Sequence, residues 1–257
     1  DQFVAPKLGM KWWLQKLAEP LGNRLHLDHR VLKLEHLPEG DWLIEFLVPK
    51  NENAKGEHAK GTKHFDGICL AMPSYCAASL VSGLDPELGS LLDGIPYASS
   101  AIAIFAVRRS EIHTRAICFG SIAPTTENRN CLAISLSSEK YAGRTPSDTV
   151  LMRVFMGGAV RPELLLLSDE SLLDLARKEV RELFGVTSPP SYERLIRWDR
   201  AMPQYLVGHM DRVAKIRARV SKLTGLAIVG NAFDGVGIPQ CIRGARLAAK
   251  SLNFDPS

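Results

Sequence analysis

The stretch that most restricts this chain runs from Gly225 to Cys241, Gly-Leu-Ala-Ile-Val-Gly-Asn-Ala-Phe-Asp-Gly-Val-Gly-Ile-Pro-Gln-Cys. Its apolar run, Leu226 to Val229, is too short for a helix and suits a buried strand. Gly230 and Asn231 follow as a small-residue turn. Gly235-Val236-Gly237 then leads into Ile238-Pro239, and a proline there fits the first turn of a helix, where its missing N–H is no loss. Beyond it, Ile242, Ala245, Leu247, Ala248 and Leu252 recur at helical spacing. Strand, glycine turn and helix start together specify an α/β framework. Such frameworks use this junction to offer backbone N–H groups to an anion or to the polar edge of a ring. The two glycines would let a flat ligand approach the backbone closely. Spacing alone fits an ordinary strand-to-helix turn equally well, because isolated glycine patterns are weak signals.

The rest of the chain supplies elements of both kinds. Met10, Trp13, Leu14, Leu17, Ala18 and Leu21 form one face of a helix that Gly22 is placed to end. Leu25 and Leu27 alternate with polar neighbours and predict a strand, continued as extended chain through Val31, Leu32 and Leu34. Pro38 to Asp41 reads as a turn, and Trp42 to Val48 as a returning strand. Asn51 to Lys63 is charged and poor in large apolar residues, which predicts an exposed hairpin loop. Phe65 to Ala71 reads as a short strand stopped by Pro73, followed by helical segments over Ala77 to Val81 and Pro86 to Leu92.

From Ala98 the character changes. Ser99 to Val107, Ala116 to Ile122, Leu132 to Leu136 and Val150 to Met156 are short β-rich runs between turn residues, as in an inserted antiparallel sheet. Ser168 is a good N-cap, with Asp169 and Glu170 in the first turn of a helix that Gly185 would stop. Tyr192 to Trp198 reads as a strand, Ala201 to Tyr205 as an irregular crossing segment, and Gly208 to Leu223 as a basic amphipathic helix.

Composition excludes several function classes. The 257 residues allow one large domain or two interleaved ones. Lys and Arg are spread along the chain at a net charge of +4, not gathered as nucleic-acid recognition favours. No apolar run approaches the roughly 20 residues of a membrane span. Cys69, Cys76, Cys118, Cys131 and Cys241 form no CxxC pair, and most lie in apolar runs, as buried free thiols in a reducing compartment do. The seven histidines show no metal-ligand spacing, so no metal is expected. The start Asp1-Gln2-Phe3, without an initiator Met or a signal peptide, suggests a processed or truncated chain.

Two segments in order carry a family resemblance. Trp198-Asp199-Arg200-Ala201-Met202-Pro203-Gln204-Tyr205-Leu206-Val207-Gly208-His209 and the stretch from Gly230 to Ile242 together resemble the C-terminal part of oxygen-dependent protoporphyrinogen oxidases, of the flavin-dependent amine-oxidase superfamily. Gly9-Met10, Val31 and Phe65 to Pro73 are similar to the superfamily's middle section. Phe119-Gly120, Leu132 to Ser137 and Phe155 to Gly158 are similar to the family's substrate-domain strands. The resemblance covers nearly all of these residues but not the whole family pattern. Members begin with a βαβ unit carrying GxGxxG, which holds the dinucleotide pyrophosphate, and no GxGxxG occurs here.

The resemblance implies the C-terminal part of an FAD-linked amine-oxidase fold, α/β (α+β), with an antiparallel-sheet substrate domain. Residues 1–94 would be the middle segment of the FAD-binding domain, 95–198 the substrate sheet domain and 199–257 the C-terminal FAD-binding segment. It implies FAD contacts at Val31, Trp198, Gly230, Asn231, Gly235, Val236, Gly237 and Ile238. Phe119, Gly120, Ile122, Ser135 and Phe155 would line a tetrapyrrole pocket, although Ser135 stands where the family usually has a more apolar residue. His209 is expected to be structural, and no residue is expected to act covalently. The implied reaction is oxidation of protoporphyrinogen IX to protoporphyrin IX with oxygen as acceptor, in haem or porphyrin biosynthesis. The implied setting is the cytoplasm, peripheral on the inner face of the cell membrane, as a homodimer and without nucleic acid. Coproporphyrinogen III oxidation, another flavin amine-oxidase-type activity such as carotenoid desaturation, and a non-catalytic chain needing a partner with the dinucleotide-binding unit are the alternatives.

Overall fold

The computed structural model describes residues 4–49, 58–113 and 118–252. Helix α1 (Gly9–Ala18) is followed by a 3-10 segment over Glu19–Arg24 that bends at Gly22 (φ 51°). The periodic face of α1 does form a helix, yet none of its residues is buried. Strand β1 (Arg30–His36) starts later than the alternation suggests. Leu25 and Leu27 are exposed and lie outside any strand, because the chain spends that segment turning. A turn closed by Leu37 N–H to Asp41 C=O at 2.8 Å leads into β2 (Trp42–Pro49), antiparallel to β1.

Strand β3 (His58–Phe65) pairs antiparallel with β2 from Trp42↔Phe65 to Pro49↔His58. This overturns the expected loop over residues 58–63; the remainder of that loop, 51–57, lies outside the described residues. Six of the eight β3 residues are exposed and none is buried, so its lysines and histidines are compatible with an edge strand. Phe65 ends β3, and Asp66-Gly67 separates it from β4 (Ile68–Ala71).

Helices α2 (Ser74–Val81) and α3 (Pro86–Asp93) follow. Asp85 caps α3 by accepting from Leu88 N–H at 2.9 Å. Its second oxygen accepts from Arg219 Nε at 2.6 Å, which ties α3 to the later helix α6. That neighbouring guanidinium, more than any other group, holds the Asp85 carboxyl below its usual range.

The chain then builds a five-stranded sheet from β5 (Tyr97–Arg108), β6 (Gly120–Ile122), β7 (Ala133–Leu136), β8 (Thr149–Gly157) and β9 (Tyr192–Pro203), in the order β6-β7-β8-β5-β9. The pairs β6/β7, β7/β8 and β5/β8 are antiparallel. A short helix α4 (Ser137–Lys140) follows β7, and α5 (Asp169–Phe184) precedes β9. As its sequence predicts, α5 is capped by Ser168, which accepts from Ser171 N–H at 3.2 Å, and is stopped by Gly185 at φ 73°. Strand alternation puts Ala101, Ala103, Phe105, Ile134, Leu136, Met152, Val154 and Met156 on one face. Leu172, Ala176, Val180 and Phe184 of α5 join them in one hydrophobic core. Strand β9 continues through Ala201 to Pro203, where an irregular segment was expected; those residues keep an extended ladder and only Gln204 onward leaves it.

The chain closes with α6 (His209–Val220), β10 (Leu226–Val229) and α7 (Ile238–Ser251). Strand β10 pairs in parallel with β4, Leu226↔Ile68 through Val229↔Ala71. Two compact units result, residues 1–96 with 203–257, and residues 97–202. Of the cysteines, Cys131 is buried, Cys69 is exposed and the others are half-buried, which corrects the expectation that most are buried. Cys69 sits on the uncovered side of β4, where burial alternates residue by residue.

Candidate functional site

Two groups of residues stand out, one in each unit. The first is the junction between β10 and α7. Gly225 starts it in a conformation open to glycine (φ 76°), because a Cβ there would lie 2.8 Å from Trp42 Nε1 and 2.9 Å from the Asp66 carbonyl. Trp42 is fully buried and donates from Nε1 to the Thr224 carbonyl at 3.0 Å. Ile68 N–H donates to Gly225 C=O at 2.7 Å, so the strand pair is anchored from both sides.

After Val229 the chain turns through Gly230 and half-buried Asn231, whose carbonyl accepts from the Tyr205 hydroxyl at 2.5 Å. Tyr205 stacks on His209, ring centroids 4.1 Å apart and planes 10° from parallel. The two sequence segments that carried the resemblance are therefore physically joined, and Tyr205 is the joint. Buried His209 sits beneath it, its Nε2 without a hydrogen-bond partner among the described residues. Asp234 is paired with Arg217, which leaves its charge committed to α6.

Helix α7 then begins with Gly237 as N-cap, without a side-chain cap and without an acidic residue in its first turn. Its first helical bond runs from Cys241 N–H to Gly237 C=O at 3.1 Å. Among the described residues no side chain caps the opening N–H groups, which stand at the positive end of the helix dipole. A Cβ on Gly235 (φ 136°) would meet the Gln240 side chain at 2.8 Å, and one on Gly237 would meet Gln240 Oε1. At both glycines the Gln240 side chain packs where a Cβ would lie. Val236 and Ile238 flank it, exposed to 63% and 46%. Backbone donors at a helix start, flanked by apolar side chains, suit a flat ring with an electron-rich edge.

Val31 is half-buried on β1, in register with Phe46. It lines an open hollow of about 630 Å3 together with His26, His29, Phe46 and Phe65. Trp198 is half-exposed on β9, in the other unit and at the sheet edge opposite β6.

The second group lies on the five-stranded sheet. Gly120 pairs with Ser135, Ser135 with Arg153, and Arg153 with Ile104. Ile122 pairs with Ala133, Ala133 with Phe155, and Phe155 with Ile102. Paired residues share a face, so Gly120, Ile122, Ser135 and Phe155 lie together on the face turned away from the α5 core. Phe119 precedes β6 and is 65% exposed, as Ile122 is at 81%. Arg153, which sequence reasoning passed over, belongs to this same face. Its guanidinium lies over the Phe155 ring, 5.5 Å from the centroid. The signal was available: Arg153 is the charged residue inside the otherwise apolar run Val150 to Met156.

The profile of the family described as flavin containing amine oxidoreductase matches residues 2–253. Among curated relatives, the chain is 35% identical to the coproporphyrinogen III oxidase of Mycobacterium tuberculosis over 187 residues, 73% of this chain and 40% of the relative. It is 23% identical to the chloroplastic protoporphyrinogen oxidase of Nicotiana tabacum over 256 residues, 95% of this chain and 45% of that one. A crystal structure from Exiguobacterium sp. 255-15, provisionally assigned as a protoporphyrinogen oxidase, superposes with a TM-score of 0.80 at 22% identity. It covers 98% of this chain and 52% of that one, and it shows a shared fold. The chain spans less than half the length of these curated relatives.

Proposed function

The chain belongs to the flavin-containing amine oxidoreductase family, and on that premise we propose that it forms the C-terminal portion of an FAD-dependent porphyrinogen oxidase. The observation that carries the proposal is the start of α7, without a side-chain cap or an acidic residue in its first turn, in a chain whose relatives are named porphyrinogen oxidases. Residues 1–94 and 199–257 take the cofactor side in this reading, and the sheet of 95–198 takes the substrate.

FAD, when bound, supplies a two-electron acceptor that oxygen restores. The chain's own residues hold and shield. The opening N–H groups of α7 and its dipole stabilise negative charge on a ring edge laid against Gly235 to Ile238. Gly230 and Asn231, steadied by Tyr205, fix the turn that sets this backbone in place. Val236 and Ile238 keep water from the ring face, and Val31 adds a further cofactor contact. On the sheet, Ile122 and Phe155 form an apolar wall for a flat macrocycle, with Phe119 at its margin and Gly120 and Ser135 giving it room to lie close.

Coproporphyrinogen III is the substrate favoured by the 35% identical relatives. Protoporphyrinogen IX is the second reading, favoured by relatives matched over 95% of this chain. The test joins this chain to the dinucleotide-binding portion of the M. tuberculosis relative and supplies each porphyrinogen in air. Porphyrin fluorescence should rise faster than autoxidation with one of them, at a rate proportional to protein. A rate no greater than autoxidation with both ends the proposal. The reading also places the protein in the cytoplasm at the inner membrane face, and co-sedimentation with anionic vesicles checks that placement.

A further inference from the structure

The outer face of the five-stranded sheet carries a cation for which the described residues supply no counter-charge. Arg153 is central on β8, flanked by Ser135 on β7 and Ile104 on β5. Its side chain makes no hydrogen bond and no ion pair with the described residues. Its contact there is the Phe155 ring, and its Nε is buried without an acceptor. Across the strand pair, Ser135 is 7% exposed and its hydroxyl is likewise buried without a partner. Arg153 Nε and the Ser135 hydroxyl are thus adjacent, buried and unsatisfied on an otherwise apolar surface of Ile102, Ile104, Ile122 and Phe155, while Arg153 as a whole is half-buried.

Other arginines of this unit are spoken for. Arg129 pairs with Glu179, Arg177 with Glu193, and Arg197 with Asp169. A buried donor without an acceptor is unfavourable, and such pairs persist where a ligand completes them. An arginine fork presents planar donors that match a carboxylate, and an adjacent hydroxyl donates to the same anion.

We propose that Arg153, with Ser135 beside it, binds a carboxylate side chain of the flat apolar substrate while Phe155 lies along its ring. This assignment rests on the porphyrinogen reading above and deepens it. It makes Arg153 a specificity-determining residue that separates carboxylate-bearing macrocycles from neutral ones of the same shape.

The test measures equilibrium binding of the full chain in dilute detergent by porphyrin fluorescence, using coproporphyrin III as the free acid and as its tetramethyl ester. The unsubstituted chain should favour the acid by about tenfold or more, the effect of one hydrogen bond to a charged group. Arg153→Met should bind the ester unchanged and the acid no better than the ester. Arg153→Lys should recover part of the preference, because it keeps the charge and loses the fork. Ser135→Ala should lose a smaller part. If Arg153→Met keeps the full preference for the acid, the carboxylate assignment is wrong while the porphyrin reading stands. The same holds if that variant loses ester and acid alike, because the arginine then acts through the surface's shape. If the unsubstituted chain binds neither form, the porphyrin reading fails and takes the assignment with it.

Discussion

A Cβ at Gly225 would meet two groups that cannot easily move, the indole nitrogen of fully buried Trp42 and the carbonyl of Asp66. The backbone there is also left-handed, at φ 76°. Gly225→Ala should therefore destabilise the unit by about 2 kcal/mol or more, seen as a lower urea midpoint at unchanged slope. Gly244, inside α7, has open space where a Cβ would go. Gly244→Ala should add about 0.5–1 kcal/mol by the same measurement, because only the helix-propensity and chain-entropy terms change. Cys131 gives a third residue-scale expectation. Burial foremost, and the Glu179 carboxylate beside it, push its thiol up to about 12. At pH 8 it should react with a thiol reagent only on unfolding, whereas exposed Cys69, although partial burial also raises its thiol, should be labelled in the folded protein. Mass mapping of partly labelled protein decides the order. The apolar sheet residues were named from the family resemblance, whereas Arg153 was visible only as a charge inside an apolar run. Its meaning depends on which face of β8 it occupies and on Ser135 and Phe155 lying beside it, and pairing across strands far apart in sequence sets both.

Among elements, α3 and α6 are joined through one carboxylate that has two tasks. Asp85 caps α3 and pairs with Arg219, which also reaches Glu87. Its carboxyl is held below the usual range, so its contribution is full above the unfolded value of about 3.9 and is lost as pH falls through the lower folded value. Stability should fall on acidification below about pH 4. Asp85→Asn keeps an acceptor for Leu88 N–H but no charge. It should cost about 1–3 kcal/mol at pH 7 and flatten that acid limb, as thermal unfolding followed across pH will show. The elements legible beforehand were those whose signals are local. Ser168 and Gly185 bracket α5, and Pro239 marks the start of α7, because caps and stops act within a turn. Strand β3 was not legible. His58 to Lys63 has a loop's composition, and what makes it a strand is the ladder it forms with β2 from Trp42 to Pro49. Leu25 and Leu27 failed in the opposite sense: their alternation is right for a strand, but no partner strand pairs with them among the described residues.

At the scale of the whole molecule, two helices carry largely exposed apolar residues. Helix α1 has no buried residue, and Leu14 and Leu17 on it are more than half exposed. Helix α7 buries only Ala248 and leaves Leu247 63% exposed. Exposed apolar faces of this kind mark surfaces meant for contact. The β10–α7 junction likewise supplies one backbone wall for a flat ring, while the GxGxxG turn that grips a dinucleotide's pyrophosphate does not occur in the sequence. One wall provides orientation and a favourable dipole, but most of a dinucleotide's binding energy comes from the pyrophosphate and adenosine contacts. The purified chain should therefore be colourless. Co-expressed with, or fused to, the dinucleotide-binding portion of a relative, it should carry about one flavin per protein and show the visible flavin bands. Its melting temperature should then rise with added FAD, because a ligand that binds only the folded state stabilises it by mass action. Within that assembly, Gly237→Val places a branched side chain against Gln240 where the ring is to lie. It should lower flavin content at least severalfold without lowering the melting temperature of the apoprotein. Stoichiometric flavin on the chain alone would remove the need for a second unit. Full flavin retention by Gly237→Val would remove Gly235 to Ile238 from the cofactor site, and the start of α7 would then be a structural turn.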